Sequence, residues 1–278
     1  KGNFEEALTI PSPARDSLDI EIRVMPYSDD QYLLVARDVT QIKQLDNLRK
    51  DFVANVSHEL KTPLTVLQGY LEMVEDPSMT PPAMMTKAVG EMQRQSERMR
   101  LLIDQLLELS RMETPSHDVF DRVVDAPVLL QQLQTEAEKL AKAKSINVHF
   151  EVAPIKVYGK EDALRSAMQN LITNAIRYNQ EGGDIRVTWQ MVGSEVEFSV
   201  EDTGPGIGSE HLPRLTERFY RVDKDRNSER GGTGLGLSIV KQALQHHNCE
   251  LQVNSALGKG SRFWFRLPAG LRVTGKRH

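Results

Sequence analysis

F-V-A-N-V-S-H-E-L-K-T-P-L, residues Phe52–Leu64, reads as the middle of a long amphipathic helix with chemistry on its wet side. Working outward, Leu45, Leu48, Phe52, Val56, Leu60, Leu64, Leu67, Leu71 and Val74 recur every three or four residues. That period predicts one helix from Gln41 to about Glu75, roughly 50 Å long at 1.5 Å per residue. His58 lies ~200° around the helix from Val56, off the apolar stripe. Thr62, four residues on, shares its face, and Glu59 flanks it. A core histidine would sit on the stripe.

At neutral pH an unperturbed imidazole is largely uncharged, so a ring nitrogen has a lone pair available for attack. Attack through one nitrogen requires the other to lose its proton, and Glu59 can accept it as a general base or hold the tautomer. Thr62 offers a hydroxyl that could place a water beside a phosphorylated ring. Pro63 removes one backbone N–H and frees the Glu59 carbonyl, which predisposes the helix to bend beside the histidine. The plainer reading is a bundle helix that Pro63 merely kinks.

On the N-terminal side, residues 5–38 read as at most three strands. Leu18–Met25 alternates apolar and polar residues, and Gln31–Ala36 is a short apolar run after a turn at Tyr27–Asp30. Three strands are too few for an independent closed core. Thr40 is the expected cap of the long helix. On the C-terminal side, Asp76–Pro82 (D-P-S-M-T-P-P) breaks the helix. A second helix then carries Met85, Ala88, Met92, Met99, Leu102, Leu106 and Leu109 on its stripe. The two make an antiparallel helical hairpin. One hairpin cannot cover both stripes, so a homodimeric four-helix bundle is expected.

Residues 113–125 read as a linker. Beyond it helices are expected at Ala126–Lys144, Lys160–Tyr178 and Leu235–His247. Strands are expected at Ile146–Val152, Asp184–Val192, Glu195–Glu201, Glu250–Asn254 and Arg262–Leu267. Helices segregated from a mostly antiparallel sheet make a two-layer α/β sandwich. The expected organisation is therefore α+β and multidomain: strands over 1–40, the hairpin over 41–112, the sandwich over 126–270 and a tail over 271–278.

The 278 residues suit about two domains, and 39% apolar content is enough for real cores. A formal charge of −4 argues against nucleic acid as the main partner. The lone cysteine, Cys249, excludes an intramolecular disulfide, fits a reducing cytosol and reads as a packing residue. No run of about 18 or more apolar residues is present, and no leader pattern opens the sequence at Lys1. The expectation is a membrane-free part of a longer, membrane-anchored parent.

The second half carries a different chemistry. On the helix at Lys160–Tyr178, Ser166, Asn170, Asn174 and Arg177 fall within roughly 80° of one another, away from the apolar face. Two asparagines mid-helix are unfavourable by propensity. Amide oxygens can ligate Mg²⁺ alongside phosphate oxygens, and Arg177 can meet phosphate charge. In the strand Glu195–Glu201, Val196, Phe198 and Val200 point inward, and Asp202 has the same parity. Thr203-Gly-Pro-Gly-Ile-Gly208 follows at once. A buried acceptor beside a closely approaching backbone suits an amino group on a purine. Gly231-Gly-Thr-Gly-Leu-Gly236 then opens a helix, where glycine N–H groups can cradle phosphates. It is neither a Walker loop nor a dinucleotide fingerprint. Residues 209–230, rich in Arg and Asp, read as a lid anchored by Phe219-Tyr220. Arg218 and Arg221 are placed to swing toward the γ-phosphate.

In this order the segments resemble sensor histidine kinases of two-component systems, over essentially Asp38–Pro268. S-H-E-L-K-T-P-L resembles the family's phosphoacceptor box, which implies a phosphohistidine at His58. N-L-I-T-N-A-I-R-Y (Asn170–Tyr178) resembles the N box, implying Asn174 as Mg²⁺ ligand, Asn170 in support, and Arg177 and Tyr178 near the nucleotide. Asp202-Thr-Gly-Pro-Gly resembles the first glycine box, with Asp202 reading adenine and Gly204 and Gly206 beside it. Glu217-Arg-Phe-Tyr-Arg221 resembles the F box. Gly232-Thr-Gly-Leu-Gly236, with Gly234 and Leu235, resembles the second glycine box, and Gly258-Lys-Gly-Ser261 a last box beside the adenine pocket. The resemblance implies a Bergerat-type ATP domain. Arg177 stands where Lys is commoner, and Leu215-Thr216 replaces the usual Ile-Phe before the F box. The strands ending in Arg37-Asp-Val-Thr40 resemble the end of a PAS sensor domain. Leu64–Met73 (L-T-V-L-Q-G-Y-L-E-M) resembles the phosphate-regulon branch of the family.

The function this implies is ATP- and Mg²⁺-dependent autophosphorylation of His58 and transfer to an aspartate on a response regulator receiver domain. The H-E-x-x-T spacing of Thr62 implies dephosphorylation of that regulator as well. The rival, from another class, is an ATP-driven dimeric clamp of the Hsp90, gyrase and MutL type, in which the hairpin only dimerises. A pure dimeriser would not need His58, Glu59 and Thr62 on one polar face.

Overall fold

The computed structural model describes residues 7–12, 15–28, 31–74, 81–113, 122–222 and 232–274. Most of the expected helix-breaking loop and linker, and residues 223–230 of the lid, lie outside them. The chain falls into two compact units, Lys1–Thr65 and Val66–His278.

In the first unit, strands β1 (Leu8–Ser12), β2 (Arg15–Ser28) and β3 (Gln31–Asp38) form an antiparallel meander in that order. Every residue of β3 is exposed, Leu34 at 60%. Among the described residues of these strands, no apolar side chain is fully buried, as a three-stranded sheet alone would require. Helix α1 (Thr40–Val74) follows. Thr40 is not its cap. The Val39 carbonyl accepts the Lys43 N–H at 2.9 Å, and Asp38 Oδ1 accepts the Thr40 N–H at 2.9 Å. The Thr40 hydroxyl instead accepts the Asp19 N–H at 2.8 Å, and Lys43 Nζ reaches Asp19 Oδ1 at 2.9 Å. Both contacts fix the helix start to β2. The helix runs unbroken through Pro63, whose ring is buried.

In the second unit, helix α2 (Pro82–Glu113) buries Ala88, Leu102 and Leu109, three members of the expected stripe. Next come β4 (Val123–Val124), α3 (Ala126–Lys142), β5 (Asn147–Val152), β6 (Val157–Tyr158), α4 (Glu161–Tyr178), β7 (Asp184–Val192) and β8 (Glu195–Asp202). Then follow α5 (Gly236–Gln245), β9 (Gln252–Ala256) and β10 (Gly260–Leu267). The main sheet has the order β5-β7-β8-β10-β9, antiparallel except for β5/β7. The parallel pair is bridged by α4, since parallel neighbours need a crossover. The two-residue pair β4/β6 is too short to show in the sequence pattern. β9 starts two residues later than expected, because a turn over 246–248 follows α5, after which the Cys249 N–H donates to the Leu244 carbonyl at 3.2 Å.

The core lies between the sheet and α3–α5. Leu129, Leu130 and Leu133 of α3, Leu164, Met168 and Leu171 of α4, and Ile239 and Leu244 of α5 are buried, as are Val187, Trp189, Phe198 and Phe265 of the sheet. The Phe198 and Phe265 rings sit 5.4 Å apart, tilted by 36°, an arrangement aromatic pairs favour. His247 is fully buried. Its Nδ1–H donates to the Ala243 carbonyl at 2.9 Å, and its Nε2 accepts the Lys160 N–H at 3.1 Å. Burial pushes its pKa down, so it stays neutral and joins the end of α5 to the start of α4.

The alternation in β8 accounts for only one of its faces. On the other, Glu197 is 1% exposed, held by Arg262 at 2.7 Å and Arg266 at 2.9 Å. Next to it the Ser199 and Thr188 hydroxyls bond at 2.8 Å. A buried carboxylate stripped of its cations is costly. Replacing both Arg262 and Arg266 by methionine should therefore cost about 3 kcal/mol, the low end of that range because both guanidinium groups are partly exposed. A lowered urea midpoint at unchanged m-value would show it, with either single replacement costing clearly less.

Candidate functional site

α1 presents His58 and Thr62 exposed and Glu59 half-buried. The Thr62 hydroxyl donates to the His58 carbonyl at 3.2 Å, and Ser57 and Thr65 bond back four residues in the same way. Thr62 therefore sits at a fixed height above His58, with its oxygen lone pairs still able to accept.

In the second unit a cavity of about 540 Å³ opens between α4, the segment leading into α5, and the β8/β10 edge. That is the size range of small-molecule sites. Asn170, Asn174, Arg177 and Tyr178 line it from α4, where the polar stripe expected from the sequence falls. Asp202, Gly206, Arg221, Gly232, Gly234, Gly236 and Ser261 complete the set of predicted residues that it brings together. Three others do not line it. Leu235 is fully buried, Gly204 lies against the Tyr178–Asn179 backbone, and Arg218 is exposed outside the wall.

At the closed end, Asp202 Oδ1 accepts the Gly204 N–H at 2.8 Å, and Asp202 pairs with Ser261 across β8/β10. Burial raises its pKa, partly opposed by the backbone N–H groups of Gly204 and Ser261. The glycine loop beside it packs tightly on the β9/β10 turn. A Cβ on Gly206 would come within 1.9 Å of the Ala256 carbonyl oxygen, and its φ of 71° is left-handed. The Thr203 hydroxyl accepts the Asp184 N–H at 2.9 Å, and Asn179 Nδ2 donates to the Asp184 carbonyl at 3.1 Å. These bonds lock the end of α4 to the Asp202 loop. Lys144 Nζ caps α4 further, donating to the Ile176 and Arg177 carbonyls at 3.1 and 2.6 Å.

At the open end, Asn170 Nδ2 donates to the Ser166 carbonyl at 2.9 Å, leaving its oxygen beside Gly236. Gly234 must be glycine, since a Cβ would meet the Phe219 backbone at 2.7 Å. The Phe219 N–H donates to the Gly234 carbonyl at 2.9 Å, joining the lid's aromatic anchor to the second glycine segment. Tyr220 lines the cavity, its hydroxyl 2.7 Å from His211 Nδ1 and the Arg214 guanidinium 4.3 Å above its ring.

Sequence reasoning missed one wall. Leu101, Asp104, Gln105 and Glu108 of α2 also line the cavity. Glu108 accepts the Ser166 hydroxyl, Gln105 bonds Thr233, and a His246 ring nitrogen lies 2.6 Å from the Met112 carbonyl. The signal was a strip of polar residues at helical spacing beside the Leu102–Leu106–Leu109 stripe, indistinguishable from a solvated edge.

Residues 159–271 match the family of histidine kinase-, DNA gyrase B- and HSP90-like ATPases, and residues 48–115 match the His Kinase A (phospho-acceptor) domain. The phosphate regulon sensor protein PhoR of Pseudomonas aeruginosa is 42% identical over 94% of this chain and 59% of its own length. The chain thus spans a little over half the length of the curated relatives it first matches. The solved structure of full-length ShkA in complex with AMPPNP is 28% identical over 78% of this chain and 45% of that one, with a TM-score of 0.56. The histidine kinase ThkA, solved in complex with the response regulator protein TrrA, shares the fold. It aligns with a TM-score of 0.64 at 20% identity over 95% of this chain and 79% of that one.

The raised pKa of Asp202 gives a pH test. An ionised carboxylate accepts an amino proton more strongly than a neutral one, so if Asp202 reads adenine, as the sequence resemblance implies, nucleotide affinity should fall on acidification at a higher pH than an ordinary carboxylate would impose. The unliganded fold responds with the opposite sign. Its native state holds the proton more tightly, so stability rises as pH falls from the raised value toward 3.8. Calorimetric titrations with ATP at stepped pH should show the affinity loss, and Asp202→Asn should flatten it.

Proposed function

We propose, from the premise that the chain belongs to the sensor histidine kinases, that it phosphorylates its own His58 from ATP and passes the group to an aspartate of a response regulator. The observation that carries this reading is an exposed imidazole on α1 in a chain that also holds a cavity with a half-buried carboxylate at one end and glycine-lined walls. A ring nitrogen of His58 attacks the γ-phosphorus, the bond to the bridging oxygen breaks and ADP leaves. Glu59 takes the proton from the other ring nitrogen. Charge spreads over the transferred group, so positioning and cationic stabilisation carry the catalysis.

In this reading Asp202 and Ser261 hold the adenine end, with Gly204 and Gly206 allowing close backbone approach. Asn170, Arg177, Tyr178, Gly232, Gly234 and Gly236 take the ribose and phosphates, while Leu235 anchors the loop from beneath. Arg221 meets the γ-phosphate from the lid, and Arg218 joins it when the lid moves. The Asn174 amide is a hard oxygen donor on the wall and fits Mg²⁺, which when bound neutralises phosphate charge.

Several exposed apolar residues on α1, among them Leu45 at 67% and Leu48 at 63%, support burial against a second copy in a homodimeric four-helix bundle. The uncovered β1–β3 meander fits the tail of a PAS domain. No helix among the described residues is long and apolar enough to cross a membrane. The parent protein is proposed to be anchored in the bacterial inner membrane, with this portion on the cytoplasmic side and phosphate supply as its signal, by analogy with PhoR. Thr62, fixed four residues from His58, is assigned to positioning water for regulator dephosphorylation.

Incubation with Mg-ATP radiolabelled at the γ-phosphate should give an acid-labile, alkali-stable phosphoprotein, and His58→Gln should abolish it. Label persisting in that variant would defeat the assignment, and ATP turnover with no phosphoprotein would favour the clamp. Thr62→Ala should keep autophosphorylation while slowing regulator dephosphorylation by roughly tenfold or more, about 1.4 kcal/mol of barrier. An unchanged dephosphorylation rate would remove that role.

A further inference from the structure

The hydroxyl of Ser255, in β9, touches three groups at once. It accepts the Ile207 N–H of the glycine loop at 2.8 Å, donates to the Gly260 carbonyl at 3.0 Å, and lies 2.8 Å from the Ser261 hydroxyl. A serine has one proton and two lone pairs. Its proton goes to Gly260, because a carbonyl only accepts. The contact with Ser261 must then run the other way, with Ser261 donating. Ser261 lines the cavity and is 7% exposed, so its one proton is committed away from any ligand. What it presents to the cavity is a lone pair. Asp202, opposite it in the β8/β10 register, is also an acceptor when ionised, and its own N–H donors come from the protein backbone.

We propose that Ser255 is a positioning residue that sets base specificity: by taking the Ser261 proton it keeps the closed end of the cavity all-acceptor. Such a site matches a 6-aminopurine, whose exocyclic nitrogen carries two donors. It opposes a 6-oxopurine, which would place an acceptor against acceptors. Removing the Ser255 hydroxyl frees the Ser261 proton to turn into the cavity and donate to a 6-oxo group. The same removal leaves the Ile207 N–H unpaired, which weakens every nucleotide alike and does not alter the preference. The inference rests on reading the cavity as a purine nucleotide site.

The experiment is calorimetric titration of the whole chain with ATP and with inosine triphosphate. The wild-type protein should favour ATP. Ser255→Ala should narrow that preference by about tenfold, a typical worth of one polar contact, while Ser255→Thr, which keeps a hydroxyl, should preserve it. An unchanged preference in Ser255→Ala, or equal weakening of both nucleotides, overturns the proposal. If Ser255→Ala fails to fold by circular dichroism, Ser261→Ala replaces it. Removing the acceptor itself should also narrow the preference, and an unchanged ratio there overturns the proposal equally. A wild-type chain that binds neither nucleotide overturns the underlying reading of the cavity, an outcome distinct from binding without a Ser255 effect.

Discussion

The register between β8 and β10 is the constraint on which the second unit depends. Side chains alternate across a sheet, so a slip of one residue would turn every side chain of a strand to the opposite face. Phe198 opposite Phe265 fixes the register from the core, and Glu197 beneath Arg262 and Arg266 fixes it from the other face. With both in place, Asp202 must fall opposite Ser261. Everything at the closed end of the cavity follows from that pairing: the backbone N–H groups on the carboxylate, the Gly260 approach to the Asp202 carbonyl, and the Ser255–Ser261 contact.

Helix α4 depends on that sheet and is fastened at both ends. His247 holds its first turn and Lys144 and Asn179 hold its last. This matters because its middle is weak. Asn170 bonds back to the Ser166 carbonyl in competition with the helix, and serine and asparagine both have poor helix propensity. The apolar face, with Leu164, Met168, Leu171 and Ile172 buried, offsets that cost. Polar side chains can therefore be presented to a ligand from a rigid element, which holds geometry better than a loop would.

α1 solves a different problem. A nucleophile must remain accessible, yet a helix of this length gains its stability from burying a stripe. Placing His58 and Thr62 on the exposed side and Pro63 on the buried side separates the two demands within a few residues. The hydroxyl back-bonds of Ser57, Thr62 and Thr65 satisfy those side chains locally, so none needs a distant partner.

Much was legible in the sequence, because periodicity is a local property. The 3.6 period located α1, α2 and α4, alternation located β2 and β8, and parity aimed Asp202 inward before any fold was known. The glycines were legible as well, since turns and close approaches demand them. Three features were not. The Asp38 cap, the burial of Glu197 and the α2 wall each join residues that are distant in sequence or ambiguous by pattern. The same holds for Ser255: a lone serine in an edge strand carries no local signal. Its partners Ile207, Gly260 and Ser261 meet it only once the glycine loop folds onto the β9/β10 turn. Sequence decided which groups the chain owns and which face each takes. Tertiary structure alone decided where each hydroxyl proton points, because that depends on neighbours assembled from separate segments.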